Sequence, residues 1–251
     1  MTIVRVFVGA NANGNPCEIV AGPVPEQVTK MRAGITRCYS WESALPLQFG
    51  VACFAPGGEA IQCCGHGLLA AAWYWYRRGM SAPLQLVMGG SRIECQSRAD
   101  LLWLLFDRLA SESILLPHWV EAVFGSRPIR AATAGPEQGY LVLEWPGGFR
   151  LEALSPPSME LTRYTSRAVI ACSRSGDNPE AIRFRYFAPQ YGVVEDSATG
   201  SAMRILLEYC QKNYQLDYLE AFQCSPAGGI LFARAVANRI AVGGRVCPDT
   251  L

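Results

Sequence analysis

Two short runs of small and polar residues hold the side chains of this sequence that are best suited to moving a proton. The first is Cys64-Gly65-His66-Gly67, and the second extends from Asp196 to Ser201 with the letters DSATGS. Each run leads into a segment with the apolar pattern of a buried helix, at Gly67–Arg78 and at Ser201–Asn213. The first amides of a helix lack partners within it and carry a partial positive charge, worth about 0.3–1 kcal/mol to an anion. Both runs can therefore bind a carboxylate, although Asp, Ser and Thr at such positions are also ordinary helix caps.

Three side chains in these runs are candidates for acid/base chemistry. His66 is one of only two histidines, and the helix dipole is expected to lower its pKa, which leaves a neutral ring able to carry a proton. Asp196 can cap its helix, orient a base or move a proton itself. Cys64 is an alternative nucleophile or base if it is a thiolate. No metal is expected, because the Cys63-Cys64-Gly65-His66 cluster lacks the second ligand pair of a structural zinc site.

The composition excludes several classes of protein. The 251 residues are 50% hydrophobic and 17% charged, with a formal net charge of +1 and ten cysteines. This composition excludes intrinsic disorder, and the absence of a basic stripe gives no electrostatic signal for a nucleic-acid or anionic-membrane partner. No run of about 18 apolar residues occurs, as a membrane-spanning helix would need. Cysteines without a regular spacing favour reduced thiols and a cytoplasmic protein.

The elements that must position the candidate residues are mostly strands. Segments with a period-2 apolar pattern, several of them bounded by Gly or Pro, predict ten strands. They are Thr2–Gly9, Leu45–Phe54, Leu84–Met88, Ser91–Gln96, Leu101–Asp107, Gly139–Trp145, Ala168–Cys172, Ala181–Phe187, Gly229–Val236 and Asn238–Val246. Besides the two helices above, Pro25–Ala33 and Pro117–Phe124 are predicted as short helices. Many strands around a few buried helices predict an α+β protein.

A comparison of the sequence with itself indicates two related halves. A shift of 133 residues places Phe54-Ala55-Pro56 on Phe187-Ala188-Pro189 and, without a gap, Gly67 on Gly200. Each half then has the same order of strand, Phe-Ala-Pro, turn and buried helix. We therefore expect two pseudo-symmetric lobes, over residues 1–124 and 125–251, with the final strand able to cross back to the first lobe. If the lobes face each other, both helix starts meet at one cleft that can grip a small carboxylate.

Four motifs together carry a resemblance to a known family. They are Gly14-Asn15-Pro16, Glu42-Ser43, Cys64-Gly65-His66 and the block from Arg185 to Ala202, in that order along nearly the whole chain. In these motifs the sequence resembles the phenazine-biosynthesis PhzF-like isomerase family, which has the diaminopimelate-epimerase-like fold. The resemblance implies two lobes, each a curved and mostly antiparallel sheet around a central helix, with the active site between them. It also implies a homodimer and no cofactor.

The resemblance implies roles for individual residues as well. In the family's best-known member, trans-2,3-dihydro-3-hydroxyanthranilate is isomerised by proton movement with a Glu as the acid/base. That Glu matches Glu42, which by its spacing alone is merely a surface residue, and His66 and Asp196 match its partners. The positions expected to bind the substrate are Gly65, Gly67, Thr199, Gly200 and Ser201. The expected function is a cofactor-independent isomerase acting on a small cyclic or amino-acid-like carboxylate.

Departures from the family pattern leave two alternatives open. Ser197 follows Asp196 where the family usually has Pro, and Gln223-Cys224-Ser225 also departs near the expected cleft. An amino-acid epimerase or racemase of the wider fold uses two thiols on opposite faces of the α-carbon. Cys64 matches the first thiol, but the second run offers Asp196 and Ser197 instead of a cysteine. A non-catalytic protein that binds small carboxylates is the third possibility.

Overall fold

The computed structural model describes residues 1–28, 34–176, 178 and 180–249, and these form one continuous sheet with three α-helices. The strands of the first half are β1 (Thr2–Val6), β2 (Asn15–Ala21), β3 (Thr36–Glu42), β4 (Gln48–Phe54), β5 (Ala60–Ile61), β6 (Leu84–Met88), β7 (Ser91–Arg98) and β8 (Leu101–Asp107). The first half ends with β9 (Ser111–Ile114), and the strands of the second half are β10 (Arg130–Ala134), β11 (Tyr140–Glu144), β12 (Ala168–Arg174), β13 (Ala181–Phe187), β14 (Tyr218–Gln223), β15 (Gly229–Val236), β16 (Arg239–Gly244) and β17 (Val246–Pro248). The helices are α1 (Gly65–Arg77), α2 (Val120–Phe124) and α3 (Gly200–Tyr214).

The pairing of the strands follows the same order twice. In the first half, β1–β2 is antiparallel, β2–β3 parallel, β3–β4 antiparallel, β4–β6 parallel, and β6–β7 and β7–β8 antiparallel. The pairs β10–β11 through β15–β16 repeat this sequence of directions. A shift of 133 residues carries β4 onto β13, as the sequence comparison indicates. The predicted α+β fold of two pseudo-symmetric lobes is confirmed.

The two halves are joined by strands at several edges. β8 pairs with β16, β9 with β10, and the last strand, β17, pairs with β1 at the other end of the chain. A cut between residues 124 and 125 therefore leaves β9 and β17 each paired with a strand of the other half. The boundaries 1–124 and 125–251 stay a prediction.

Each half encloses one long helix. α1 packs against the strands of the first half, and Leu68, Leu69 and the alanines at 70–72 are fully buried. α3 packs against β14, β15 and β16 in the second half. Burying a leucine contributes about 1.5–3 kcal/mol, so the apolar faces of α1 and α3 hold both helices in place. No helix in the described part of the chain combines the length and apolar character that crossing a bilayer requires.

Some predicted elements differ from those observed. The first strand ends at Val6 because Phe7 adopts a left-handed backbone with φ 68°, and β4 begins only at Gln48 because Leu47 has φ 57°. The strands β2 and β3 were not predicted, since the buried ion pair of Glu18 and Arg37 interrupts their apolar pattern. The segment Asn238–Val246 divides into β16 and β17. Most of the predicted helix Pro25–Ala33 lies outside the described residues.

Candidate active site

The starts of the two long helices touch each other. A Cβ atom on Gly65 would lie 3.1 Å from the Cα of Gly200, and one on Gly200 would lie 3.0 Å from Cζ of the Phe7 ring. Glycine at both positions therefore allows the two backbones to approach. The structure brings together the two runs that the sequence singled out. Two sets of first-turn amides, with their partial positive charge, meet at this point.

Cys64 and His66 form a buried pair at the start of α1. The Sγ atom of Cys64 lies 3.5 Å from Nδ1 of His66 and accepts a hydrogen bond from the amide of Gly67 at 3.3 Å, which caps the helix. His66 is buried, with only 8% of the residue's surface exposed. A Cβ atom on Gly67 would lie 2.3 Å from Sγ of Cys53 and 3.0 Å from Sγ of Cys64. The glycine at 67 thus leaves room for two sulfur atoms beside the imidazole.

The surroundings of this pair favour a thiolate and an imidazolium. A hydrogen bond with Cys53, the charge of His66 and the Gly67 amide outweigh burial and lower the pKa of Cys64 to about 6. Burial opposes a charged His66, but the charge and hydrogen bond of Cys64 and the charge of Asp196 raise its pKa to about 9. The expectation that the helix dipole lowers the pKa of His66 is therefore wrong, because a neighbouring thiolate is the stronger influence.

Cys64 is the end of a cluster of four buried thiols. The others are Cys17 on β2, Cys38 on β3 and Cys53 on β4, with Cys38 and Cys53 directly opposite each other. Hydrogen bonds to Cys38 and Cys64, together with burial, raise the pKa of the Cys53 thiol, so Cys53 is a protonated donor. All ten cysteines are free. Among the described residues, no three His, Cys, Asp or Glu side chains are placed to hold a metal ion.

Asp196 is held in place by three hydrogen bonds at the start of α3. Its Oδ1 accepts from Nδ2 of Asn15 and from the Ser197 amide, both at 2.9 Å, and its Oδ2 accepts from Oγ1 of Thr199 at 2.6 Å. Asn15 also donates to the carbonyl of Ala198 at 3.0 Å. Because Asn15 lies on β2, these bonds tie the first half of the fold to the second helix start. Asp196 therefore acts on the pair of Cys64 and His66 only through its charge.

Gln223, which the sequence places near the expected cleft without a role, is part of the site. It is fully buried, accepts a hydrogen bond from the amide of Thr199 at 2.7 Å, and donates to the carbonyl of Asp196 at 2.6 Å. The amide of Thr199 therefore donates to Gln223, and the amide of Gly67 donates to Sγ of Cys64. Thr199 and Gly67 therefore shape the site, whereas the amides of Gly65, Gly200 and Ser201 have no partner among the described residues.

Two tyrosines line the start of α3. Burial raises the pKa of Tyr140 and of Tyr186, and a hydrogen bond with Ser201 opposes that rise in each. Burial therefore keeps both phenols protonated near the start of α3. The sequence predicts the strands that carry these tyrosines, β11 and β13. It does not predict which residues of those strands face the helix start.

Glu42 lies far from this site. It is exposed at the end of β3, opposite Phe49, and Phe49 stacks on Trp75 at a ring distance of 4.3 Å. Trp75 comes nine residues after His66 on α1, which at 1.5 Å per residue is about 14 Å along the helix. The structure therefore does not bring Glu42 to His66 and Asp196, and the acid/base role that the resemblance implies for it stays a prediction.

The reason lies in the direction of β3. In the antiparallel pair with β4, Arg37 is opposite Phe54, so the beginning of β3 faces the start of α1. Cys38, at that beginning, donates from Sγ to the carbonyl of Gly67 at 3.4 Å. The strand then runs toward the other end of α1, where Ser40 accepts a hydrogen bond from Nε1 of Trp75 at 2.9 Å. Glu42 follows two residues further on.

Comparison with known proteins identifies the family. The family model for phenazine biosynthesis-like proteins, PhzC-PhzF, matches residues 102–234, more than half of the chain. The chain belongs to the PhzC-PhzF family. An uncharacterized isomerase of Halalkalibacterium halodurans is 25% identical over 97% of this chain and 93% of its own length. One of Vibrio cholerae is 28% identical over 96% of this chain and 85% of its own length. The predicted enzyme class, an isomerase, is confirmed.

Solved structures share the fold. The PhzF-family protein of Enterococcus faecalis has a TM-score of 0.82 at 21% identity, covering 99% of this chain and 96% of that one. A probable proline racemase of Agrobacterium radiobacter, solved with bound carbonate, has a TM-score of 0.61 at 12% identity, covering 98% and 89%. The fold of this PhzC-PhzF protein is therefore shared by a PhzF-family protein and by a probable proline racemase.

Proposed function

We propose that this protein is a cofactor-independent isomerase that moves a proton on a small cyclic or amino-acid-like carboxylate, with Cys64 and His66 as its acid/base pair. The observation that carries the proposal is the contact of Sγ and Nδ1 at 3.5 Å, at the touching starts of two helices. The lowered pKa of Cys64 and the raised pKa of His66 make the thiolate–imidazolium pair the main form between about pH 6 and pH 9. This pair replaces Glu42 as the base.

The substrate carboxylate is proposed to bind between the two helix starts. The unpartnered amides of Gly65, Gly200 and Ser201 can donate to its oxygens. The partial positive charge of both helices then also stabilises the negative charge that develops when the neighbouring carbon loses a proton. Asp196 holds Thr199 and Asn15 in place and supports the charge of His66.

The proton is proposed to move in two steps. The Cys64 thiolate takes a proton from a carbon next to the carboxylate, and the electron pair left behind delocalises toward the carboxylate. The His66 imidazolium then gives its proton to a different carbon, which shifts the double bond. Cys64 is now a thiol and His66 is neutral, and one proton transfer over their contact restores the starting pair. General acid/base help of this kind is worth typically about 10²–10⁴ in rate.

An epimerase or racemase is the second candidate, and Cys64 is the observation that favours it. A thiol at the first helix start, in a fold shared with a probable proline racemase that binds carbonate, suits removal of an α-proton. The second start offers Asp196 and Ser197 in place of a thiol, and Asp196 already accepts three hydrogen bonds. The second proton in an epimerase would then have to come from His66.

Proton NMR in D₂O separates the candidates. The panel contains dihydro-hydroxyanthranilate and common amino acids, with Cys210→Ser, a buried thiol on α3, as a variant that leaves Cys64 and His66 untouched. Deuterium entering a ligand carbon together with double-bond migration supports the isomerase, and exchange at an α-carbon with loss of optical purity supports the epimerase. Binding of a panel member without exchange in any of them contradicts both and leaves a carboxylate-binding protein.

We also propose a cytoplasmic location and a homodimer. Ten free cysteines suit a reducing compartment, and the dimer is implied by the family resemblance. Sedimentation or gel filtration over a hundredfold range of concentration tests the dimer. A constant elution volume of a 27.4 kDa monomer would contradict it.

A further inference from the structure

A cavity lies beside the two helix starts, and the proton-transfer scheme does not use it. Its volume is about 250 Å³, and its walls include Gln62, Cys63, Arg92, Arg204 and Arg239. Gln62 and Cys63 directly precede Cys64 in the chain. Arg204 lies on α3, one turn after Gly200 and Ser201. The cavity therefore opens where a substrate held by the helix starts would extend.

The charge of the cavity is mainly positive. Three arginines line it, against a single acidic side chain in its wall, Asp107. Arg239 is occupied, because its guanidinium forms an ion pair with Glu94 at 3.2 Å. Arg92 and Arg204 form no ion pair among the described residues. Two guanidinium groups are thus available to an anion.

Arg204 is the better placed of these two. Its Nε atom is buried without a hydrogen-bond partner in the described part of the chain, and its Nη2 atom donates only to the carbonyl of Arg108 at 3.4 Å. Arg204 lines the cavity, and this one long bond leaves most of the N–H groups at the end of its guanidinium for a carboxylate there to accept from. The guanidinium also lies over the Phe106 ring at 5.9 Å, which limits its movement.

The positive charge of Arg204 acts on residues beside both helix starts. Burial raises the pKa of Cys63, and the charge of Arg204 opposes that rise. Burial also raises the pKa of Tyr140, and the Ser201 hydrogen bond and the Arg204 charge both oppose it. Arg204 is therefore close to the residues on both sides of the carboxylate position.

We propose that this cavity binds a second carboxylate of the substrate through Arg204, with Arg92 assisting, so that the substrate class is a small dicarboxylate. The inference rests on the proposed function, since it takes the first carboxylate to be held by the helix starts. Arginine suits this task because its planar fork can donate two parallel hydrogen bonds to one carboxylate. The volume of the cavity accommodates a carboxylate with a short carbon chain.

The test uses ligand pairs that differ only in the distal charge: glutamate with glutamine and aspartate with asparagine, in both enantiomers. Titration calorimetry measures each dissociation constant for the natural protein, for Arg204→Gln and for Arg234→Gln. Arg234 is a matched control, because its Nε is also buried without a partner among the described residues, but it stacks over Trp103 outside the cavity. Thermal unfolding and Arg204→Lys, which keeps the charge, show whether a loss is due to misfolding.

We expect at least one acid to bind about tenfold to a hundredfold more tightly than its amide. Arg204→Gln abolishes that preference, Arg204→Lys retains part of it, and Arg234→Gln leaves it unchanged. The proposal is wrong if no acid of the panel binds more tightly than its amide. It is also wrong if Arg204→Gln and Arg234→Gln lose this preference equally.

Alkylation gives a readout that needs no turnover. Cys63 and Cys247 are the two exposed thiols of the ten, and tandem mass spectrometry follows the reaction of each with iodoacetamide. The tighter-binding acid protects Cys63 and not Cys247, whereas equal protection of both contradicts the proposal. If the proposed function fails instead, no ligand exchanges its carbon-bound protons in D₂O, while the charge preference and the protection of Cys63 persist.

Discussion

The two long helices begin in the same structural setting but with different chemistry. At the start of α1, the cap is the thiol of Cys64, which contacts His66 among other buried thiols. At the start of α3, the Asp196 carboxylate accepts three hydrogen bonds, and the surrounding groups are hydroxyls and amides. The repeated fold gives both starts the same backbone geometry. The difference lies in the side chains. Those of the first start can exchange a proton, whereas the Asp196 carboxylate of the second start fixes its neighbours by hydrogen bonds.

This difference indicates a division of labour between the two halves. Sulfur and imidazole can change their protonation near neutral pH when their pKa values are about 6 and 9. A carboxylate that accepts three hydrogen bonds is instead held in place as an anchor. A symmetric arrangement, with a thiol at each start, would suit a reaction at two faces of one carbon. The asymmetric arrangement suits removal of a proton at one place and its return at another.

The largest expected effect comes from removing the thiol of the first start. Cys64→Ala eliminates the base and lowers kcat by at least about a thousandfold, with little change in the binding of the carboxylate. Cys64→Ser behaves nearly as Cys64→Ala, because a hydroxyl does not ionise at neutral pH. Steady-state kinetics measures the loss, with Cys210→Ser, a buried thiol on α3, as the control. Activity within tenfold of the natural protein in Cys64→Ala would assign the base elsewhere.

The second start is tested by Asp196→Asn, which keeps the shape and removes the charge. Because the Asp196 charge helps to raise the pKa of His66, the variant lowers that pKa. The alkaline limit of activity therefore moves below its value of about 9, and kcat falls by about ten- to a hundredfold. A pH–rate profile measures both. An unchanged alkaline limit would show that Asp196 acts on structure alone.

A smaller effect is expected from Cys53→Ala, which removes the neighbour of Cys64. Without that hydrogen bond the pKa of Cys64 rises, so the thiolate forms only at higher pH. The acidic limit of activity moves up from about 6, and the loss at pH 6.5 of about tenfold disappears by pH 9. Cys53→Ser, which keeps a donor, is intermediate, and Cys95→Ala tests the effect of a buried cavity elsewhere. A uniform loss at every pH would mean that Cys53 only fills space.

The smallest effect is expected from Glu42→Gln. This residue is exposed at the far end of α1 from His66, so kcat and KM stay within about twofold of the natural values. The same kinetic assay measures it. A loss comparable to that of Cys64→Ala would restore the role that the family resemblance implies.

Much of the fold is predictable from the sequence because its strongest elements are apolar. β6, β8, β13 and β15 have the predicted bounds, and α1 and α3 begin within two residues of their predicted starts. Among the strands that were not predicted, β2 and β3 contain the polar residues Glu18 and Arg37, each of which has its partner on the neighbouring strand. Local patterns cannot reveal such partners.

The site was predictable at its helix starts and not beyond them. The two runs of small and polar residues are local, so their letters suffice for Cys64, His66 and Asp196. Glu42 depends on the register and direction of β3, which the letters do not contain. Gln223 and Cys53 also reach the site through strand pairing, and only the folded chain places them beside the helix starts.

The central claim is the charged pair at the start of α1, and an ¹⁵N NMR titration of His66 tests it most directly. In the natural protein we predict that the ring remains an imidazolium until a pKa of about 9. In Cys64→Ser the stabilising charge is absent and burial dominates, so the pKa falls to the usual 6.5 or lower. The same pKa near 6.5 in both proteins would contradict the thiolate–imidazolium pair and the mechanism built on it.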